Sequence, residues 1–468
     1  MARHHRKQRT ASESTQRWLL WVATAIITCI AFEALAVTTA MPTVTKDLDG
    51  EHMFALANGI TLAAQLITTA LCGPWADAKG VRTPLFTGLI IFSAGLVMCT
   101  FAPEIEILVL GRLIQGLGGG LCIVPLYVLV GRLVPGERQP TFFAAFSAAW
   151  VVPSLIGPAL SGFLAQHVHW RVVFIIVPVV LLVLLPLLAK VLAMLPAMEF
   201  TGKLSRLGTV ALPAFGAGIA AIALQVMSGT DSADFTPLVF AGIVVAAAAA
   251  LAFVRPMLPK GTLLLKRGMP STVALRGMLN GTFLAVEIYL PLMLQRIHGW
   301  EPLDAGLTLT VGSITWSIGS FVQARIIDPE QRKRLASFGS AILLIGTAAT
   351  IPVAWVSVAP WFLIVAWAVA GLGIGIAYPA MATHALALTP IESQGETSSA
   401  LQVSDTLGAS LCIAFAGIVF ALISGFGTVS FAAVLIAMSL LALASLAVSF
   451  RVEPNVTETD LTYQAPTR

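Results

Sequence analysis

The chain has 468 residues, of which 57% are hydrophobic and 11% charged, with a formal net charge of +4. Soluble globular proteins carry about 25% charged residues, and a mean hydropathy of +0.89 excludes that class. Apolar runs of roughly 20 residues, in place of alternating segments of about 10, exclude a transmembrane β-barrel and leave helices.

The opening "MARHHRKQRT" and the apolar run from Trp18 imitate a signal peptide, with "ALA" at 34–36 imitating its cleavage site. The run is longer than the 7–15 residues of such a leader and contains Glu33, so it reads as a first membrane helix that is kept. The basic prelude is a topology signal, with no nucleic-acid partner implied.

Fourteen spans follow in order, near 18–40, 54–73, 84–102, 107–130, 141–164, 171–194, 207–228, 237–254, 271–294, 303–325, 336–356, 360–386, 397–421 and 427–450. The basic loops ("ADAKGVR", "GRLVPGER", "PAMEFTGKLSR", "RPMLPKGTLLLKRG", "RIIDPEQRKR") all follow even-numbered spans, whereas "PTVTKDLDGEHM", "APEIE" and "SGTDSADF" are acidic or nearly free of Lys and Arg. That asymmetry predicts a multi-pass protein of the cell (inner or plasma) membrane with both termini cytoplasmic. The tail "RVEPNVTETDLTYQAPTR" reads as polar and disordered.

The expected fold is an all-α polytopic membrane protein of two six-helix bundles with two additional helices between them. The expected divisions are a basic N-terminus at 1–17, a first bundle at 18–195, a linker with the extra pair at 196–262, a second bundle at 263–450 and a tail at 451–468. The extra pair is nearly devoid of polar side chains beyond Gln225 and reads as lipid-facing or structural. Internal repeats of this kind are a signature of secondary transporters. Cys29, Cys72, Cys99, Cys122 and Cys412 read as small buried hydrophobes. The pair His167 and His169 is a weak metal candidate. No cofactor is implied, since no nucleotide-binding loop or zinc spacing occurs.

Glu33 is the first polar oddity. It lies 15 residues beyond Trp18, about 22 Å into a layer of about 30 Å, so it is past the midplane but inside the core. Such a carboxylate either pairs with a fixed cation, for which Arg112 is a candidate, or exchanges a proton or a cationic substrate. Next, "GPWADAKGVR" holds Gly73 and Gly80, which predict a sharp reversal between two spans, together with Asp77, Lys79 and Arg82. Arg112 and Gln115 then sit inside the fourth span. The steps Gly116/Gly120 and Gly371/Gly375 predict close helix contacts. Asn280 and Glu287, seven residues apart, share one helix face, and Glu287 either mirrors Glu33 across a cavity or touches water at the outer end. Arg276 reads as snorkelling to the cytoplasmic face. Asp405 is a third acidic candidate, and Trp150, Trp316, Trp367 and Tyr378 either line an aromatic cavity or pack.

The spacing Gly-x-x-x-Asp-x-x-Gly-x-Arg at 73–82 resembles the loop motif of the major facilitator superfamily, and "RLIQGLGGG" at 112–120 resembles its fourth-helix motif. "FEALAVTTAMP" at 32–42, "WRVVF", "LPLMLQRIHGWEPLDAGL" and "ESQGETSSALQ" resemble the fourteen-helix drug:proton antiporter branch, from Trp18 to about Phe450. The fifth-span antiporter motif keeps Gly157, Pro158 and Gly162, while Ala144, Pro153 and Ser161 stand where the family pattern has glycine, and the second half's loop copy lacks its Asp. The resemblance implies a non-enzymatic, proton-coupled transporter. It would work as a monomer in the bilayer, exporting small hydrophobic or amphiphilic molecules by alternating access, with Arg112 a proton-transfer residue or a structural cation. An exporter of an endogenous lipid, siderophore or metabolite, or a non-transporting receptor of the same fold, is the alternative.

Overall fold

The computed structural model describes residues 12–135, 138–194, 205–229, 236–326, 329–389, 394–423 and 427–453. Fourteen of its helical segments are long and apolar enough to cross a membrane, and no strand occurs among the described residues. The first part of the chain forms α1 (Glu13–Asp47), α2 (Phe54–Lys79), α3 (Arg82–Thr100), α4 (Ile105–Gly119), α5 (Ile123–Leu133), α6 (Gln139–His167) and α7 (Arg171–Met194). Two further helices follow, α8 (Ser205–Ser228) and α9 (Pro237–Val254). The rest is α10 (Met269–His298), α11 (Pro302–Ala324), α12 (Pro329–Thr350), α13 (Trp361–Ala387), α14 (Gln394–Leu422) and α15 (Thr428–Ser449).

Local chemistry sets several of these limits. Ser12 caps α1 by accepting from the Thr15 amide at 3.3 Å, with Glu13 in the first turn facing the helix dipole. Gly299 ends α10 with φ +65°, a left-handed conformation that costs glycine little. The fourth span, expected as one helix, is broken into α4 and α5 at Gly120–Cys122. At that break Gly118 and Gly120 let the backbone approach its neighbours too closely for a side chain, a Cβ on Gly118 standing 2.2 Å from the Phe92 amide.

The reversal predicted at both Gly73 and Gly80 needs correction. Gly73 lies inside α2, and a Cβ there would meet nothing within 4 Å. The last turns of α2 stay helical through the helix formers Ala76, Ala78 and Lys79. The stop is made by Gly80 alone, at φ +84°. Arg82 begins α3, and its guanidinium donates to the Leu192 carbonyl, tying that corner to the end of α7. The side chain of Asp77 lies outside the described residues.

Two bundles result. In one, α1 packs on α6 and α7, and α4 packs on α2 and α3; in the other, α10 packs on α14 and α15, and α13 packs on α11 and α12. Lipid supplies little hydrophobic drive between helices, so close backbone contact has to do that work. The expected glycine steps do so in both halves. A Cβ on Gly116 would stand 2.2 Å from the Thr61 carbonyl oxygen, and one on Gly120 2.6 Å from the Thr69 amide. In the second bundle a Cβ on Gly371 or Gly375 would stand 2.2 Å from the carbonyl oxygens of Gly312 and Trp316. Large exposed apolar residues such as Leu182 and Val183 on α7 and Val244 and Val245 on α9 face outward, where only a lipid solvent suits them.

The bundles meet along α6 and α11 and along α2 and α14. The termini-bearing end is called the near end and the Asp47–Phe54 end the far end. At the far end Arg296 pairs with Glu51 at 2.7 Å, and Phe54 meets Tyr289 edge-on at 5.6 Å. The extra pair divides its roles. Helix α9 is lipid-facing over most of its length, whereas α8 packs on both α2 and α14. Gln225 of α8 is fully buried and donates to the Ser410 carbonyl at 2.7 Å.

Candidate substrate and proton site

Side chains from five helices form two separate buried acid–base clusters, one in each bundle. In the first bundle Glu33 of α1 and Arg112 of α4 are only 4% and 6% exposed. Arg112 Nη1 donates to Glu33 Oε1 at 2.6 Å and to Gln115 Oε1 at 2.7 Å, while its Nε donates to the Ala57 carbonyl of α2 at 3.2 Å. Helix spacing explains the local part, since Gln115 is three residues after Arg112 and therefore on the same face. The close approach of α4 to α2 at Gly116 brings the Ala57 carbonyl within reach. Thr61 fastens the same pair of helices by donating to the Arg112 carbonyl at 3.2 Å. The Gln115 amide Nε2 is buried with no partner among the described residues.

In the second bundle Arg276 of α10 holds Asp405 of α14, with Nε donating to Oδ2 at 2.9 Å and to Oδ1 at 3.0 Å. The Tyr378 hydroxyl of α13 donates to Asp405 Oδ2 at 2.8 Å and accepts from Arg276 Nη2 at 3.0 Å. The guanidinium also lies over the Tyr378 ring, 4.1 Å from its centroid. Asn280 Nδ2 donates to the Asp405 carbonyl at 3.2 Å. The snorkelling expected of Arg276 is therefore corrected. Asp405 and Tyr378 supply the partners that water would otherwise have given, and the side chain stays inside. Sequence reasoning missed this partnership because 129 residues separate the two charges.

The clusters occupy different depths. Arg112 is seven residues into α4 (105 to 112) from the far end, and Arg276 is seven residues into α10 (269 to 276) from the near end. Glu287 belongs to neither cluster. It is only 5% exposed. It also differs from Glu33, because it makes no ion pair or hydrogen bond among the described residues.

Of the expected aromatic residues, Trp316, Trp367 and Tyr378 fall together and are joined by Phe283. The Phe283 ring stacks on Trp367 with centroids 4.3 Å apart and meets Trp316 edge-on at 5.0 Å; Trp316 meets Tyr378 at 5.7 Å. Trp150, on α6, is exposed and shares no ring contact with them. Gly157, Pro158 and Gly162 line the face of α6 that meets α1 and α11. A Cβ on Gly162 would stand 2.4 Å from the Pro302 carbonyl oxygen, and the Pro158 carbonyl comes as close to Gly306. His167 stacks on Phe163, and His169 Nδ1 accepts from the Arg171 amide. No group of three or more metal-ligating side chains occurs among the described residues.

The model of the Major Facilitator Superfamily matches residues 22–412 and 282–465. The chain belongs to the major facilitator superfamily. Within it, the chain is similar to the efflux transporter aclA of Aspergillus oryzae, at 33% identity over 172 residues; that match covers 36% of this chain and only 31% of the relative. It is also similar to a protein of Mycobacterium tuberculosis named a probable multidrug-efflux transporter, at 26% identity over 397 residues, or 81% of this chain and 82% of the relative. Among solved structures, a bacterial homologue of the human lysosomal transporter Spinster, in an inward-facing, unoccupied form, superposes with a TM-score of 0.69. It is 16% identical, with 97% of this chain and all of that one covered. The superfamily and these neighbours are transporters, not enzymes, and the chain is an MFS transporter with multidrug-efflux relatives.

Proposed function

We propose that this superfamily member is a proton-coupled secondary active transporter that exports hydrophobic or amphiphilic compounds by alternating access. Its place would be the cell membrane, as a monomer with both termini cytoplasmic, with residues 18–195 and 263–450 rocking about a cavity and 196–262 linking them. The observation that carries the reading is the buried Glu33–Arg112–Gln115 network. A carboxylate there is tolerated because a guanidinium holds it. When Glu33 takes up a proton its charge is lost, and Arg112 keeps only the neutral acceptors Gln115 Oε1 and the Ala57 carbonyl. The tie between α1 and α4 thus loosens with protonation and tightens when the proton leaves. Since α1 also touches α10 and α11 of the other bundle, this change has a route to the seam.

The Arg276–Asp405–Tyr378 cluster gives a second such tie at the opposite depth. The end of α2 and the Gly80 corner, with Asp77 and Arg82, would serve as a latch between bundles. Purified protein in proteoliposomes tests the reading. An imposed pH gradient should drive substrate flux by the native chain. Glu33→Gln should insert and fold normally yet lose the gradient-driven component while keeping substrate binding. Gradient-driven flux by Glu33→Gln at the native rate would overturn it.

A further inference from the structure

The chain between α9 and α10 carries a concentration of charge that neither bundle uses. Between Asp234 and Glu287 the sequence has no acidic residue, and residues 255–268 hold Arg255, Lys260, Lys266 and Arg267. All four are exposed, and none makes a side-chain hydrogen bond or ion pair among the described residues. Glu453, in the segment that touches this loop, pairs with none of them.

A topology signal needs only the charges, but this loop is also folded. Single 3-10 turns at Arg255–Met257 and Thr262–Leu264 lie on either side of the left-handed Gly261, at φ +94°. Leu265 is left-handed as well, at φ +51°, a conformation that a leucine keeps only where its surroundings impose it. Ser271 Oγ donates to the carbonyls of Leu265 and Lys266 at 2.9 and 2.7 Å, and Arg451 Nη1 donates to the Leu265 carbonyl at 3.3 Å. The Gly268 amide in turn donates to the Arg451 carbonyl at 2.9 Å, and Leu258 and Thr262 are buried. What the loop presents outward is a pair of leucines, Leu263 and Leu264, 41% and 74% exposed, among the four cations. It leaves the end of α9, the lipid-facing helix, so it starts at the edge of the bilayer. Apolar side chains interleaved with unpaired cations suit an interface with anionic lipid.

We infer that residues 255–268 are a docking surface for anionic phospholipid at the near end. Leu263 and Leu264 enter the edge of the acyl layer, and Arg255, Lys260, Lys266 and Arg267 take the phosphate groups. The guanidinium groups hold phosphate oxygens bidentately, and the lysines add point charge. Because the loop joins the extra pair to α10, a bound headgroup fixes the near end of the second bundle against the leaflet. The inference needs neither the proton nor the substrate assignment above and is read out without flux.

The test uses the full chain with Leu264→Cys labelled by bimane, the five native cysteines being half-buried or buried. It is reconstituted in phosphatidylcholine vesicles with a small, equal share of brominated phosphatidylglycerol or brominated phosphatidylcholine. The brominated anionic lipid should quench the label roughly fivefold or more efficiently than the neutral one, the enrichment expected from even one engaged cation. High salt should erase that lead. Lys266→Gln/Arg267→Gln should reduce it severalfold, whereas Arg17→Gln/Lys190→Gln, which removes as many exposed near-end cations elsewhere, should leave it. A label quenched by neither lipid puts the loop in water, and equal quenching by both leaves the cations without a role; either overturns the inference. So does a lead that survives Lys266→Gln/Arg267→Gln or falls as far in the control pair. A lead abolished by inorganic phosphate, but not by chloride of equal ionic strength, would also overturn it by assigning the cations to a free anion.

Discussion

Cutting both sides of the Glu33–Arg112 pair should cost little more than cutting one. Glu33→Ala leaves Arg112, 6% exposed, with a charge that no side chain balances. Its remaining bonds, to Gln115 Oε1 at 2.7 Å and the Ala57 carbonyl at 3.2 Å, are to neutral acceptors. Removing one partner of a buried pair costs about 3–5 kcal/mol. Two surviving bonds place Glu33→Ala near about 3 kcal/mol, and Arg112→Met belongs in the same range because it strips Glu33 of its donor. The double variant Glu33→Ala/Arg112→Met leaves no orphaned charge, so the two effects should fall short of adding by about 2–3 kcal/mol. Glu33→Gln, which keeps an acceptor in place, should cost less, about 1–2 kcal/mol. The assay is equilibrium unfolding of each purified variant in mixed micelles, followed by the fluorescence of the ten tryptophans. Single-variant effects that add to within about 0.5 kcal/mol would show that the two groups do not sense each other, and the coupling argument built on their contact would fall.

Gly116→Ala should destabilise the first bundle by more than about 3 kcal/mol, because its Cβ would stand 2.2 Å from a backbone oxygen that cannot swing away. Gly73→Ala should be neutral or slightly stabilising in the same unfolding assay, since open space surrounds it. Tyr378→Phe removes a hydroxyl that serves both Arg276 and Asp405, and thermal unfolding should register a loss of about 1–2 kcal/mol; no loss would mean that the hydroxyl is dispensable to the cluster. For orientation, Thr230→Cys should react with an impermeant thiol reagent from outside the cell and Lys260→Cys only from inside. Lys260 is preferred to its neighbour Gly261, whose φ of +94° would strain a cysteine. Labelling of both from one side would refute the proposed topology.

The spans were legible because lipid demands length and apolarity, and every apolar run became helical, the fourth in two pieces. The small-residue steps were legible for a related reason: at Gly116, Gly120, Gly371 and Gly375 only a missing side chain permits backbone contact. Gly73 was misjudged because a glycine before Pro74 has the composition of a turn, and only the continuing helix shows that the turn lies further on. Arg276 was misjudged because exposure at a membrane edge depends on partners from α13 and α14 that pattern reading cannot supply. Glu33 and Arg112 were readable as a possible pair through motif spacing, whereas the solitude of Glu287 depends on every helix around it. The branch-level resemblance carried the proton and substrate expectations, and composition contributed nothing to them.

Helix α8 lies in the groove between α2 and α14, bonded to the second bundle through Gln225 and Ser410 and seated on the first through close contacts such as Gly218 on Ile67. A twelve-span transporter without such a helix would leave that groove lined by lipid. Here it is walled, so a membrane-dissolved compound has no sideways entrance there. The opposite groove, between α6 and α11, has no comparable helix laid over it among the described residues. Its far end is shut by the contacts of Gly162 with Pro302 and of Gly306 with Pro158. A molecule dissolved in the bilayer is therefore kept out along the α2–α14 groove by the α8 wall and at the far end of the α6–α11 groove by backbone contact.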